Sequence, residues 1–118
     1  MRDHRKLEVF QLIDELVVSI YRHTRTFPQT EQFGLTSQMR RSAVSSAANI
    51  VEGAARSTEK DYNRFLNLSF SSLRELGYYL ELAGRLGYLS DQCKDELLSS
   101  QGRAAAALAS LIRVRRQA

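Results

Sequence analysis

Apolar residues recur along this chain in the three- and four-residue steps of a helix, and they do so in four blocks. In the first, Val9, Phe10, Ile13, Leu16, Val17, Ile20, Tyr21 and Thr24 gather on one arc while Glu8, Gln11, Glu15, Ser19 and Arg22 fall opposite. That pattern predicts an amphipathic helix over residues 7–25. Pro28 lies beyond its end, because the residue before a proline is pushed out of the helical region. The stretch TFPQTEQFGL, Thr26 to Leu35, reads as a loop pinned over one end of the core by Phe27 and Phe33. Thr36 is the expected N-cap of a second helix over 37–56, whose core stripe is Met39, Ala43, Ala47, Ile50 and Ala54, with Val44, Ala48, Val51 and Ala55 beside it. Ser57 or Thr58 caps a third helix over 59–86, and Asp61 three residues after Thr58 resembles a capping box. Its stripe is Tyr62, Phe65, Leu66, Leu73, Leu76, Leu80 and Ala83, and a second ridge of Leu68, Tyr79, Leu82 and Leu86 runs alongside. Gly87 closes that helix, and Ser90 caps a fourth over 91–115 with the stripe Cys93, Leu97, Ala104, Leu108 and Leu111, flanked by Leu98, Ala105 and Ile112.

No block alternates apolar and polar residues as a half-buried strand would, and no internal repeat is visible. Four helices joined by short turns predict an all-α chain, one antiparallel up-down-up-down four-helix bundle over 1–118. With 43% hydrophobic and 25% charged residues the chain has enough apolar surface to build a core. The single Cys93 cannot form an internal disulfide, the N-terminus MRDHRK has no apolar segment behind it, and no apolar run approaches the roughly 18 residues of a membrane span. The expected location is the cytoplasm, away from any membrane.

Two features of the polar positions add to this picture. The side of the second helix away from its stripe carries Arg41, Ser42, Ser45, Ser46, Asn49, Glu52, Gly53 and Arg56, where a merely solvated face would be written in Glu, Lys, Gln and Arg. Small side chains there invite close approach by another helix, a second subunit or a ligand. Glu75 sits within the second ridge of the third helix, and a desolvated carboxylate needs a cation; Arg41 on the adjoining helix is the expected partner.

Charge and motifs then narrow the chemistry. Lys+Arg number 17 against 13 Asp+Glu, a net +4, and all the cations but Lys6, Lys60 and Lys94 are arginine. Arginine forks onto carboxylates and phosphates and stacks on bases, which suits either interfaces or nucleic acid, while Arg22, Arg25, Arg85, Arg113, Arg115 and Arg116 also fall where they complement helix C-termini. Enzyme sites find no footing. A di-iron centre needs Glu-x-x-His, but Met1 and Ile20 precede His4 and His23 at that spacing; no metal set and no glycine-rich nucleotide loop is present, and Cys93 falls on a core stripe. The expectation is a protein without catalytic residues, metal or cofactor.

The residues assembled so far resemble the four-helix-bundle family of the 23S ribosomal RNA intervening sequences, related to the accessory variability protein of diversity-generating retroelements. Gln38, Met39, Arg40, Arg41, Ala43, Ser45, Asn49, Ile50, Glu52 and Gly53 stand where the family writes Q-hydrophobic-R-R-A-A-x-S-I-x-x-N-I-A-E-G. Phe27-Pro28, Glu31 and Gly34-Leu35 look like its F-P-x-x-E-x-x-G-L loop, and Phe65-Leu66, Ser72-Leu73, Glu75-Leu76 and Leu86-Gly87-Tyr88-Leu89 look like later elements. Ser46-Ala47 in place of I-P and Ser71 in place of glycine depart from it. The resemblance implies a homopentamer, no established catalysis and, in some relatives, a basic surface that binds nucleic acid. It makes Arg41, Ser45, Asn49, Glu52, Ser72 and Glu75 structural or interface positions. The expected function is a self-assembling bundle that binds RNA or DNA through Arg22, Arg25, Arg40, Arg56, Lys60 and Arg64, or alternatively an oligomeric scaffold for a partner protein such as a reverse transcriptase.

Overall fold

The computed structural model describes residues 2–117, so the two ends of the predicted domain, Met1 and Ala118, lie outside the described residues. Four long helices account for most of the chain: α1 (Glu8–Thr24), α2 (Leu35–Ala54), α3 (Glu59–Arg85) and α4 (Asp91–Gln117). No strand occurs among the described residues. Each helix packs on its neighbour in sequence and α4 closes back onto α1, so the four stand around a square some 44 Å long. Ile13, Ile20, Met39, Ile50, Leu66, Leu73, Leu76, Leu80 and Leu108 are wholly enclosed between them.

The helix ends follow local chemistry. Thr58 Oγ1 accepts from the Asp61 N–H at 3.1 Å and starts α3; Ser90 Oγ accepts from the Cys93 N–H at 3.1 Å and starts α4. Gly87, at φ +79°, lets the Tyr88 N–H reach the Ala83 carbonyl at 2.9 Å and its own N–H reach that of Gly84 at 3.0 Å, a Schellman stop for α3. The start of α2 differs from expectation. Thr36 is not its cap but is buried inside the first turn, and the helix begins two residues earlier, because the Glu31 carboxylate accepts from the Leu35 N–H at 3.0 Å. A carboxylate does this better than a hydroxyl, adding charge to the positive end of the helix dipole.

The largest correction concerns which way α2 faces. Val44 and Val51 stand 41% and 39% exposed, Ala48 and Ala55 are exposed too, and Ala47 is only half-buried, whereas Ser42, Ser46 and Gly53 are buried. The small-residue side does meet a helix, but that helix is α3 of the same chain. Ser69 Oγ donates to the Ser46 carbonyl at 2.6 Å, Ser46 Oγ to the Ala43 carbonyl at 2.6 Å, and Ser45 and Ser72 share a 2.9 Å hydrogen bond. With Ser42, Ser46 and Ser69 each bonded to a backbone carbonyl and Ser45 to Ser72, burying serine costs little, and the backbones approach closely. A Cβ on Gly53 would lie 2.8 Å from Phe65 Cβ.

On α4 and α1 smaller differences have the same origin, a rotation of the helix within its predicted arc. On α4, Gln101 and Ile112 are buried while Cys93 and Leu111 are half-buried; Gln101 enters because its Nε2 donates to the Leu73 carbonyl at 2.8 Å. On α1, Tyr21 is exposed. Of the two aromatic plugs only Phe27 is buried, against Tyr88 at 5.3 Å between ring centroids; Phe33 is 91% exposed.

Candidate nucleic-acid interface

The segment before α1, the turn between α2 and α3, and the end of α4 meet at one end of the bundle. Arg2 donates to the Arg56 carbonyl at 2.9 Å and to Glu59 Oε1 at 2.7 Å, and Arg115 holds the same Glu59 carboxylate from the other side, with Nε 3.1 Å from Oε2. Beneath them Tyr62 is buried, its ring faced by the guanidinium of Arg2 at 4.1 Å and of Arg115 at 5.2 Å. Phe65, one turn along α3, carries Arg56 at 4.8 Å and Arg64 at 4.5 Å in the same way. Two aromatic rings of α3 therefore seat four arginines, and cation–π attraction holds the guanidinium groups over them.

The charges here are unequal. Glu59 serves two arginines, and its carboxyl is lowered below the usual range, first by the hydrogen bond from Arg2 and then by that from Arg115. Asp61 takes Arg64 at 3.2 Å, and Asp3 takes Arg5, whose hydrogen bond lowers the Asp3 carboxyl as well. Arg56 and Lys60 meet no carboxylate among the described residues. Arg113 and Arg116 add two more cations along the last turns of α4. Burial, with the nearby charges of lesser weight, raises the Tyr62 phenol.

The six cations expected to bind nucleic acid thus divide. Arg56, Lys60 and Arg64 come together at this end. Arg22, Arg25 and Arg40 lie about 25 Å away, at the far end of the 17-residue helix α1. Arg40 is occupied there: its Nε donates to Thr24 Oγ1 at 2.9 Å and its guanidinium covers the Tyr21 ring at 4.7 Å, tying α2 to α1. Arg2 and Arg115 were not among the sequence candidates. Nothing local marks them, since the two chain ends become neighbours only when the bundle closes.

The interface positions expected on α2 and α3 do share a groove, lined by Gln38, Arg41, Ser42, Ser45, Ser72 and Glu75. Asn49 Nδ2 donates to the Ser45 carbonyl at 2.8 Å and to Ser45 Oγ at 3.1 Å, whereas Glu52 faces water. The expected Arg41–Glu75 ion pair is absent. Both residues are exposed, and Glu75 accepts instead from the Tyr79 hydroxyl at 2.6 Å, a bond that raises the phenol. The ridge is only partly covered: Tyr79 and Leu82 pack against the core, whereas Leu68 and Leu86 face solvent, as Glu75 does. Among the described residues no three histidine, cysteine or carboxylate side chains gather as a metal set, and no helix is long and apolar enough to cross a membrane.

Comparison with known proteins agrees with this architecture. The family described as 23S rRNA-intervening sequence protein matches residues 5–110. A crystal structure from Bacteroides thetaiotaomicron VPI-5482, of a protein with unknown function from the S23 ribosomal protein family, superposes with a TM-score of 0.81 at 25% sequence identity. The match covers 88% of this chain and 97% of that one. No curated protein matches.

Proposed function

This chain belongs to the 23S rRNA-intervening sequence protein family, and from that premise we propose that it is a non-enzymatic, self-assembling bundle that binds RNA or DNA through its arginine-rich end. The observation that carries the reading is the convergence of Arg2, Arg56, Arg64 and Arg115 over Tyr62 and Phe65, with Lys60 beside them and carboxylates outnumbered. Planar guanidinium groups already stacked on rings lose little freedom on meeting phosphate, and their forks match its oxygens. Binding of this kind releases counterions, so log affinity falls linearly with log salt; four phosphate contacts give about a hundredfold loss between about 50 and 200 mM. Filter binding over that range tests it, and absence of any complex at the lowest salt overturns it.

The topology we propose is antiparallel, up-down-up-down. It is supported by the contacts of Arg2, which precedes α1 yet touches the end of α2 and the start of α3. Assembly, with the homopentamer implied by the family resemblance, is supported by the outward Val44 and Val51 of α2, with Tyr21 sharing a groove with Val44. Apolar patches of this sort mark contact surfaces. Light scattering that returns a mass near 13.4 kDa overturns assembly. A second reading, an oligomeric scaffold for an enzyme such as a reverse transcriptase, is favoured by Phe33, whose ring stands in water at the rim of that same groove. The coding neighbourhood separates the two: a retroelement cassette supports the scaffold, and a ribosomal RNA gene supports the first reading.

A further inference from the structure

Beside the basic end, between α3 and α4, an apolar cleft of about 490 Å³ is lined by Phe70, Ala109 and Ile112 and rimmed by Asn67, Arg113 and Arg116. We propose that this cleft receives an unpaired base of a single-stranded nucleic acid, with Arg113 and Arg116 on the flanking phosphates. The inference rests on the nucleic-acid reading above and adds to the basic platform a site that only single strands can fill.

Three observations point to that occupant. The cleft is mostly carbon, since Ile112 belongs to the core and Phe70 packs against it, so a flat ring placed there leaves water and meets an aromatic neighbour. Base–aromatic stacking is what sequence-tolerant single-strand binders use, and a duplex keeps its bases out of reach of such a surface. The charge at the rim is positive and unopposed: Arg113 is turned onto Ser110 Oγ at 3.1 Å, and neither it nor Arg116 meets a carboxylate among the described residues. A basic or neutral apolar helix of another protein would leave the two guanidinium groups repelled or unused, whereas a polyanion with exposed rings satisfies both parts of the site and continues onto the cations of the platform.

The third observation is continuity. Arg116 adjoins Arg115, and Asn67 lies one turn beyond Arg64 on α3, so a backbone leaving the cleft runs directly onto the Tyr62–Phe65 platform. Asn67 donates Nδ2 to the Asn63 carbonyl at 2.8 Å and brings the only side-chain acceptor among the lining residues, a partner for a base edge. Asn63, a turn earlier on the same stripe, keeps a buried side-chain oxygen without a donor among the described residues.

The test uses fluorescence anisotropy with oligouridylate, oligothymidylate and an RNA duplex of equal length, on wild type and two variants. Phe70→Leu keeps apolar volume but removes the ring; Ala109→Met fills the cleft without removing charge. Each should weaken binding of the single strands about tenfold, within the range of one lost stack, and leave duplex binding and the salt slope unchanged. Arg116→Gln should flatten the single-strand salt slope by about 0.7. Equal single-strand affinity in wild type and both variants overturns the cleft while the basic platform stands, as does an equal loss on the duplex. If Ala109→Met changes the mass seen by light scattering and not the affinity, the cleft is a contact between copies and the proposal falls. If wild type binds none of the three probes, the nucleic-acid reading falls with it. Thermal melts of the free variants, expected within a few degrees of wild type, separate lost binding from lost fold.

Discussion

At Gly53 the question is whether backbone freedom or space decides. Gly-to-Ala inside a helix gains about 1 kcal/mol of intrinsic propensity. At Gly53 the added methyl would sit 2.8 Å from Phe65 Cβ and 3.3 Å from Tyr62 Cδ1, and neither atom is the free end of a flexible chain. Overpacking of this kind costs about 1–3 kcal/mol, so the steric term wins and Gly53→Ala is expected to be destabilising. Gly102 on α4 is the internal control, exposed and with nothing within 4 Å of its Cβ position. Gly102→Ala should therefore stabilise by about 0.5–1 kcal/mol. Urea melts of the two variants check both signs; a stable Gly53→Ala protein would mean that α2 and α3 are not in close contact along this line. The same clash would disturb Phe65, the seat of Arg56 and Arg64, so packing inside the bundle and the geometry of the basic end are linked through a missing methyl group.

Among the elements, the connection between α1 and α2 does more than span a gap. One carboxylate oxygen of Glu31 accepts the first N–H of α2, and the other accepts the Tyr88 hydroxyl at 2.8 Å from the turn between α3 and α4. The Leu35 N–H, and after it Tyr88, holds the Glu31 carboxyl below its usual 4.5 and raises the Tyr88 phenol. A carboxyl with a depressed value stabilises the fold above its ordinary titration range, and that contribution is lost as pH falls through the folded value. Glu31→Gln should thus melt below wild type at pH 7, and the gap should narrow as pH drops below about 4.5. A gap that is constant with pH would assign the effect to something other than charge. This connection also shows how far the sequence could be read. Helix ends set by neighbours in the chain, Thr58, Gly87 and Ser90, were visible because their chemistry is local. The start of α2 was misplaced because its cap is a side chain from inside the loop, and the rotation of α2 was missed because periodicity counts apolar atoms and does not know that Ser42 and Ser46 will find carbonyls. The basic end was half visible for a related reason: Arg56, Lys60 and Arg64 are near in sequence, whereas Arg2 and Arg115 reach them across the fold.

For the molecule as a whole, Glu59 is where folding and the proposed nucleic-acid binding would draw on the same charges. It fastens the start of the chain to the end of α4 by holding Arg2 and Arg115, and while it does so those two guanidinium groups are partly spent on a carboxylate that is itself half-exposed. Glu59→Gln removes the anion and leaves both arginines seated on Tyr62 by cation–π contact. Two opposite changes are expected together. Stability should fall at pH 7, because the depressed Glu59 carboxyl contributes above its ordinary range, and the variant should lose less than wild type on acidification. Affinity for duplex DNA at low salt should rise, and the slope of log affinity against log salt should steepen by about 1–2, since up to two cations become available to phosphate and each adds about 0.9. Thermal melts across pH and binding titrations across salt read the two effects separately. A variant that melts lower but keeps the wild-type slope would show that Arg2 and Arg115 are fasteners of the bundle only, and the platform would then reduce to Arg56, Lys60 and Arg64 on the turn into α3.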